Sequence, residues 1–174
     1  MTTQILQKVQ AFTGKVFSVI QFTMRLPDGK VRTYDQVHLQ NAVTILPIDE
    51  EDQVYFVRQY RIGSESELLE LPAGKVEEGE DPLLTAGREL REETGMAARE
   101  LKPLGNFYMS PGYADEYMYC FLAKGLYPDA LTPDLDEFLN VEKIPLSKVF
   151  EMIENGLIED SKTLASFMLS RKFL

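Results

Sequence analysis

The stretch Gly74-Lys75-Val76-Glu77-Glu78-Gly79-Glu80-Asp81-Pro82-Leu83-Leu84-Thr85-Ala86-Gly87-Arg88-Glu89-Leu90-Arg91-Glu92-Glu93-Thr94-Gly95-Met96 decides how this chain is read. Residues 82–94 carry the signals of a helix. Asp81 can cap its start, Pro82 suits the first helical position, and Gly95 falls just past its end. Leu83, Ala86 or Gly87, and Leu90 recur at helical spacing and are expected to form the buried stripe. Glu89, Glu92 and Glu93, at i, i+3 and i+4, project from one face within about one turn. Like charges so placed destabilise a helix by a few tenths of a kcal/mol each, and Arg88, four residues before Glu92, relieves part of that. A solvated acidic face is one reading of the three glutamates. The other is a hard-cation site, because oxygen-only, carboxylate-rich clusters are what Mg²⁺ or Mn²⁺ require.

The rest of the composition narrows the choices. A chain of 174 residues is one domain, or one domain with an extension. Eighteen basic against 28 acidic residues leave a net charge of −10, which argues against nucleic-acid or anionic-membrane partners. Residues 65–100 hold 11 acidic and 4 basic side chains, so much of that charge sits around the central stretch. One cysteine, Cys120, rules out an intramolecular disulfide and a Cys-rich zinc module. One histidine, His38, makes a His-based triad or metal cluster a poor fit. No run approaches the ~20 apolar residues of a membrane span, and the first dozen residues lack a secretory pattern. The expectation is a soluble, cytoplasmic protein.

Around the central stretch, strands are expected at Val16–Met24 and Val31–Leu39, joined by a turn at Asp28-Gly29. Further strands are expected at Ala42–Ile48, Val54–Tyr60, Leu68–Leu71, Leu101–Tyr108, Tyr117–Ala123 and Phe138–Lys143. Pro72-Ala73-Gly74 reads as a breaker. Helices are expected at Leu146–Asn155 and Ser161–Lys172. Irregular alternation with short connections favours an α+β fold, an α/β/α sandwich on a mixed central sheet. Residues 1–40 form an antiparallel strand extension to the domain at 41–174. Such a small strand unit must pack on something.

The spacing of the central stretch resembles the Nudix box, G-x(5)-E-x(7)-R-E-U-x-E-E-x-G-U with U apolar. Gly74, Glu80, Arg88, Glu89, Leu90, Glu92, Glu93, Gly95 and Met96 fill all nine positions. At average residue frequencies the seven exact identities have a chance of roughly 10⁻⁸ per start position. The resemblance implies a Nudix fold with a loop–helix–loop that binds divalent cations and cleaves a nucleoside diphosphate linked to another group. It implies Mg²⁺, with Mn²⁺ as substitute, held by Glu89 and Glu93, by Glu92 as ligand or water contact, and by the carbonyl of Ala73. Glu80 and Arg88 are implied to tie loop to helix, and Gly74 and Gly95 to permit backbone geometry closed to other residues.

The resemblance continues outside the box. Val57-Arg58-Gln59-Tyr60-Arg61, Glu70-Leu71-Pro72-Ala73-Gly74, and Ser110-Pro111-Gly112 with Glu116 are similar to segments of ADP-ribose and nucleoside-diphosphate-sugar pyrophosphatases. This implies a substrate site including Arg58, Arg61, Glu70, Pro111 and Glu116, with the arginines gripping the diphosphate. Where many ADP-ribose enzymes carry glycine and small hydroxyl residues, this chain has Tyr113-Ala114-Asp115. ADP-ribose, ADP-glucose and GDP-mannose types therefore stay open, with ADP-ribose first. Dinucleoside polyphosphates, NADH and coenzyme A are the alternative substrates, and a non-catalytic nucleotide-binding module is the alternative class. Metal-ligating glutamates are poor bases. The water-activating group is therefore sought in the acidic loop Asp134–Glu137, at Glu137 with Asp136 as runner-up and Glu116, then Glu92, as further candidates, while Glu92 and Glu93 are catalytic through the ion. Phe17, Phe22 and Tyr34 could stack on a base, although core packing is the simpler reading. The subfamily resemblance also implies a homodimer that exchanges or packs its N-terminal strands.

Overall fold

Asp28-Gly29 turns the chain tightly, with the Leu26 N–H donating to the Lys30 carbonyl at 2.8 Å. It joins β2 (Ser18–Arg25) to β3 (Val31–His38), and β1 (Gln4–Thr13) pairs antiparallel with the other edge of β2. β1 went unplaced in the sequence because its run QILQKVQAFT lacks strict alternation. It is exposed along its whole length, and its register shifts twice, between Ile5 and Gln7 and between Gln10 and Phe12. Among the expected core aromatics, Phe17 and Tyr34 are instead exposed, because this three-stranded sheet carries much of its apolar surface outward.

The computed structural model describes residues 2–132 and 139–174. The expected base Glu137, its alternative Asp136 and the expected strand start Phe138 lie outside the described residues. The chain divides into two units. The first is Met1–Asn41 with Tyr108–Tyr117; the second is Ala42–Phe107 with Met118–Leu174. Within the first unit, segment 108–117 is fastened to the end of β3. Val37 N–H donates to the Tyr113 carbonyl at 2.7 Å, and Asp115 N–H to the Val37 carbonyl at 3.2 Å. The Asp115 carboxylate takes the Leu39 N–H at 3.0 Å and His38 Nδ1 at 2.6 Å. His38 is thus a strand-end anchor.

The described residues of the second unit are built on two sheets. One has the order β7 (Ala73–Lys75), β4 (Ala42–Pro47), β9 (Tyr117–Pro128), β8 (Met96–Tyr108). The other has the order β10 (Asn140–Pro145), β5 (Gln53–Arg61), β6 (Ser66–Glu70). β4 runs parallel to β9 and antiparallel to β7, so the first of these sheets is mixed, as the irregular alternation suggested. Among the described residues three helices cover them: α1 (Pro82–Thr94), α2 (Leu146–Glu154) and α3 (Ser161–Ser170). Strand alternation sends side chains to two cores. Val43 and Ile45 of β4, with Phe121 and Ala123 of β9, meet Ala86 and Leu90 of α1. Leu46 and Ile48, with Cys120 and Leu122, join Phe56, Val149 of α2 and Phe167 of α3. Among the described residues no helix is long and apolar enough to cross a membrane.

The three-residue β7 falls where Pro72-Ala73-Gly74 read as a breaker. Pro72 stands just before this strand and accepts from the Ile45 N–H at 2.9 Å through its carbonyl. Leu83 is a correction: it is exposed, and the buried residues of α1 are Thr85, Ala86, Glu89, Leu90 and Glu93. At about 100° per residue, that arc is centred on Pro82 rather than on Leu83. The helix buries acids along with its apolar side chains. It ends at Gly95, whose φ of 72° and N–H bond to the Arg91 carbonyl make a left-handed cap. β8 starts at the next residue.

Candidate active site

β7 and α1 bring the box together. The side chains of Glu89 and Glu93 lie on the sheet-facing side of α1, 7% and 5% exposed. Glu93 accepts the Ala73 N–H at 2.9 Å. Glu89 lies flat against Gly74, where an added Cβ would stand 1.9 Å from the Glu89 carboxyl carbon and 2.0 Å from one of its oxygens. Any larger residue there would displace the Glu89 carboxylate.

Arg88 holds the acids in register. Its Nη1 donates to Glu89 Oε1 at 2.7 Å and to Glu92 Oε2 at 2.8 Å. Its Nε and Nη2 each reach Glu80 at 3.1 Å, and Nη2 reaches the Lys75 carbonyl at 3.3 Å. The loop from 75 to 80 is thereby folded back onto the helix it precedes. The Arg88 guanidinium holds the Glu80 carboxyl down to about 2, and the same carboxylate, with Glu89 and Glu92, pushes the Arg88 pKa up.

The residues before the box are paired as well. Arg61 Nε and Nη2 grip Glu70 Oε1 and Oε2 at 2.7 and 2.6 Å. Glu70 is 1% exposed and also receives the ammonium of Lys162. Burial pushes the Glu70 pKa up, but Arg61 and Lys162 outweigh it and hold the carboxyl below its ordinary value. Arg58 Nε donates to Glu142 on β10 at 2.6 Å. Both arginines are thus paired with carboxylates of the strands that flank β5. Pro111 and Glu116 belong to the other unit, in the segment where Met109 N–H meets the Glu116 carbonyl at 3.1 Å. In that unit Phe22, Tyr34, Pro111 and Tyr113 line a cavity of about 450 Å³. Cys120 is buried beside Ser166, and burial pushes its thiol up to about 11, which leaves it no part as a nucleophile.

The donor set around β7 and α1 is oxygen only, which suits a hard divalent cation. Among the described residues no three carboxylate, imidazole or thiol groups stand together as a ready cage, since Arg88 occupies the space between Glu89 and Glu92. Glu89, Glu93 and the backbone at Ala73 are the groups that could hold the ion, with Glu92 beside them. Sequence reasoning missed Lys162, Thr163 and Glu142, which hold the residues it did find.

The NUDIX domain model matches residues 38–167, and the chain belongs to the Nudix family. It is similar to the ADP-ribose pyrophosphatase of Bacillus subtilis, with 39% identity over 90% of this chain and 85% of the relative. It is also similar to the methanol dehydrogenase activator of Bacillus methanolicus, with 38% identity over 89% and 85%. Among solved structures, an ADP compounds hydrolase superposes with a TM-score of 0.89 at 28% identity, covering 100% of this chain and 95% of that one. Nudix hydrolases work with divalent cations.

Two outcomes are expected. Gly74→Ala should push Glu89 aside and lower affinity for Mn²⁺ or Mg²⁺ by roughly 10–100-fold, read by titration calorimetry, with the circular dichroism of the fold retained; unchanged affinity would refute the close-approach argument. The depressed Glu80 pKa means that its pairing with Arg88 adds stability above the ordinary carboxylate value of 4.5, and that this is lost as pH falls toward about 2. In metal-free protein, Glu80→Gln should flatten the fall in urea midpoint between pH ~5 and pH ~3; an identical fall in both proteins would contradict it.

Proposed function

We propose that this protein hydrolyses the diphosphate bond of ADP-ribose to AMP and ribose 5-phosphate, with Mg²⁺ as the working ion and Mn²⁺ as a substitute. The observation that carries the reading is the pair of buried glutamates, Glu89 and Glu93, held against the backbone of Ala73 and Gly74 beside Glu92. The name of the Bacillus subtilis relative supports ADP-ribose as the first substrate.

A bound divalent ion would neutralise the diphosphate and make a water more acidic. The chain supplies the rest. Glu89, Glu93 and the Ala73 carbonyl hold the ion, with Glu92 as a further ligand or water contact. Arg58 and Arg61 bind the diphosphate oxygens. Arg61 commits one edge of its guanidinium to Glu70, which leaves the other edge for phosphate. Glu70, being buried, serves the substrate through Arg61. Water attacks phosphorus, the bridging P–O bond breaks, and the proton of the water passes to Glu137, with Asp136 as the alternative acceptor.

The working form in this reading is a homodimer through the N-terminal strands. The exposed apolar side chains of the strand unit, among them Ile5, Leu6, Val9, Phe12 and Val31, support it. A single buried thiol suits the reducing cytoplasm, where we expect the protein to act.

Purified protein with ADP-ribose and Mg²⁺ should release AMP and ribose 5-phosphate, and a chelator should stop it. Glu93→Gln should cost at least ~10²-fold in turnover and Glu137→Gln roughly 10²–10⁴-fold. Faster cleavage of dinucleoside polyphosphates than of any sugar nucleotide would overturn the substrate, and near-normal Glu89→Gln and Glu93→Gln enzymes would overturn the metal ligands. If Glu137→Gln and Asp136→Asn both keep more than about a third of turnover, the base lies elsewhere. Light scattering should give twice the chain mass of 19.8 kDa; a fully active monomer would remove the dimer from the reading.

A further inference from the structure

Lys162 stands where a lysine is hard to explain. It is the second residue of α3, at the helix end whose dipole repels cations. Its side chain is only 8% exposed. A buried ammonium needs full pairing, and Lys162 has it from two carboxylates. One is Asp160, the N-cap of the same helix, at 3.0 Å; the other is Glu70 on β6. Glu70 is the carboxylate that grips Arg61. Positive and negative groups therefore alternate along one chain of contacts: Arg61 (side chain 41% exposed), Glu70, Lys162, Asp160, the last three all largely buried.

The neighbouring residue repeats the attachment. Thr163 Oγ1 accepts the Leu71 N–H at 2.9 Å and donates to Asp160 Oδ2 at 2.6 Å. The first turn of α3 thus holds both Glu70 and Leu71, two residues before the Ala73 N–H that meets Glu93.

We propose that Lys162 is a positioning residue for the diphosphate: through Glu70 it fixes the guanidinium of Arg61 in the orientation that presents its outer edge to phosphate. Without Lys162, Glu70 loses the ammonium that holds its carboxylate in place, and the Arg61 guanidinium it grips loses its fixed orientation toward substrate. Asp160 sets Lys162 in turn, and Thr163 sets the backbone on which Glu70 stands. The proposal rests on Arg61 contacting the diphosphate, as in the reading above.

The test is a double-mutant cycle on the full-length enzyme with ADP-ribose and Mg²⁺. Lys162→Met should raise KM roughly 10–100-fold and change kcat less than about threefold. In an Arg61→Ala background, which itself raises KM, Lys162→Met should add less than about twofold. Independently of turnover, the Arg61 Nε–H should exchange with solvent roughly tenfold faster in Lys162→Met by NMR. If Arg61→Ala raises KM and Lys162→Met does not, or if the two effects multiply, Lys162 does not act through Arg61 and the proposal falls. If Arg61→Ala leaves KM unchanged, the diphosphate role of Arg61 fails instead, and the exchange measurement still decides whether Lys162 orders the guanidinium. Should Lys162→Met fail to fold, Lys162→Gln, which keeps a donor toward Glu70 without the charge, carries the same comparison.

Discussion

Two carboxylates buried on one face of one helix set the terms for the second unit. Taking an ionised glutamate out of water costs several kcal/mol unless donors replace the lost hydration. Glu93 takes the backbone N–H of Ala73, and Glu89 takes Arg88. The first bond requires β7 to run directly over α1. The second requires that nothing project from residue 74, which makes glycine the residue of close contact. Arg88 then reaches back to Glu80 and fastens the loop that joins the two elements. Strand, loop and helix are in this sense one electrostatic object.

The Arg61 cluster solves a related problem in another way. Around α1 one arginine serves three carboxylates, so the balance is acidic and suits a cation. Between β5, β6 and α3, two cations face two carboxylates, with the arginine outermost. That order leaves an exposed guanidinium that is held from beneath, a device for an anion. A metal-dependent attack on a diphosphate needs both kinds of surface, one for the ion and one for the phosphate oxygens.

Much of this was legible in the sequence because it is local. Asp81, Pro82 and Gly95 mark the ends of α1 with their own backbone chemistry, and the glutamate spacing is a property of one helix. The long-range pairs were not legible. Arg61 with Glu70 spans a hairpin, and Glu70 with Lys162 joins residues 92 positions apart. The signal for Lys162 was present, as a lysine in the first turn of a helix, but it became informative only once the helix was seen to bury it. Burial also explains the error at Leu83. Apolarity suggested the stripe, while the geometry of the acids chose which arc of the helix turned inward. The strand β1 escaped because its apolar residues do not alternate strictly with polar ones, the pattern by which half-buried strands are recognised.

The neutrality of the Arg61–Glu70–Lys162–Asp160 cluster has a kinetic side. Two positive and two negative charges cancel beyond a few ångströms, so the cluster casts no attractive field into solution. The chain as a whole carries −10. An anionic nucleotide therefore meets net repulsion on approach, and in the proposed reading the arginine edge favours it only at contact. Mobile ions shorten the reach of that repulsion, to about 10 Å at 0.1 M salt, while the pairs packed beneath the surface are much less screened. Ionic strength thus eases diffusional encounter without loosening the grip at contact, the reverse of enzymes that draw substrate in by a long-range attractive field.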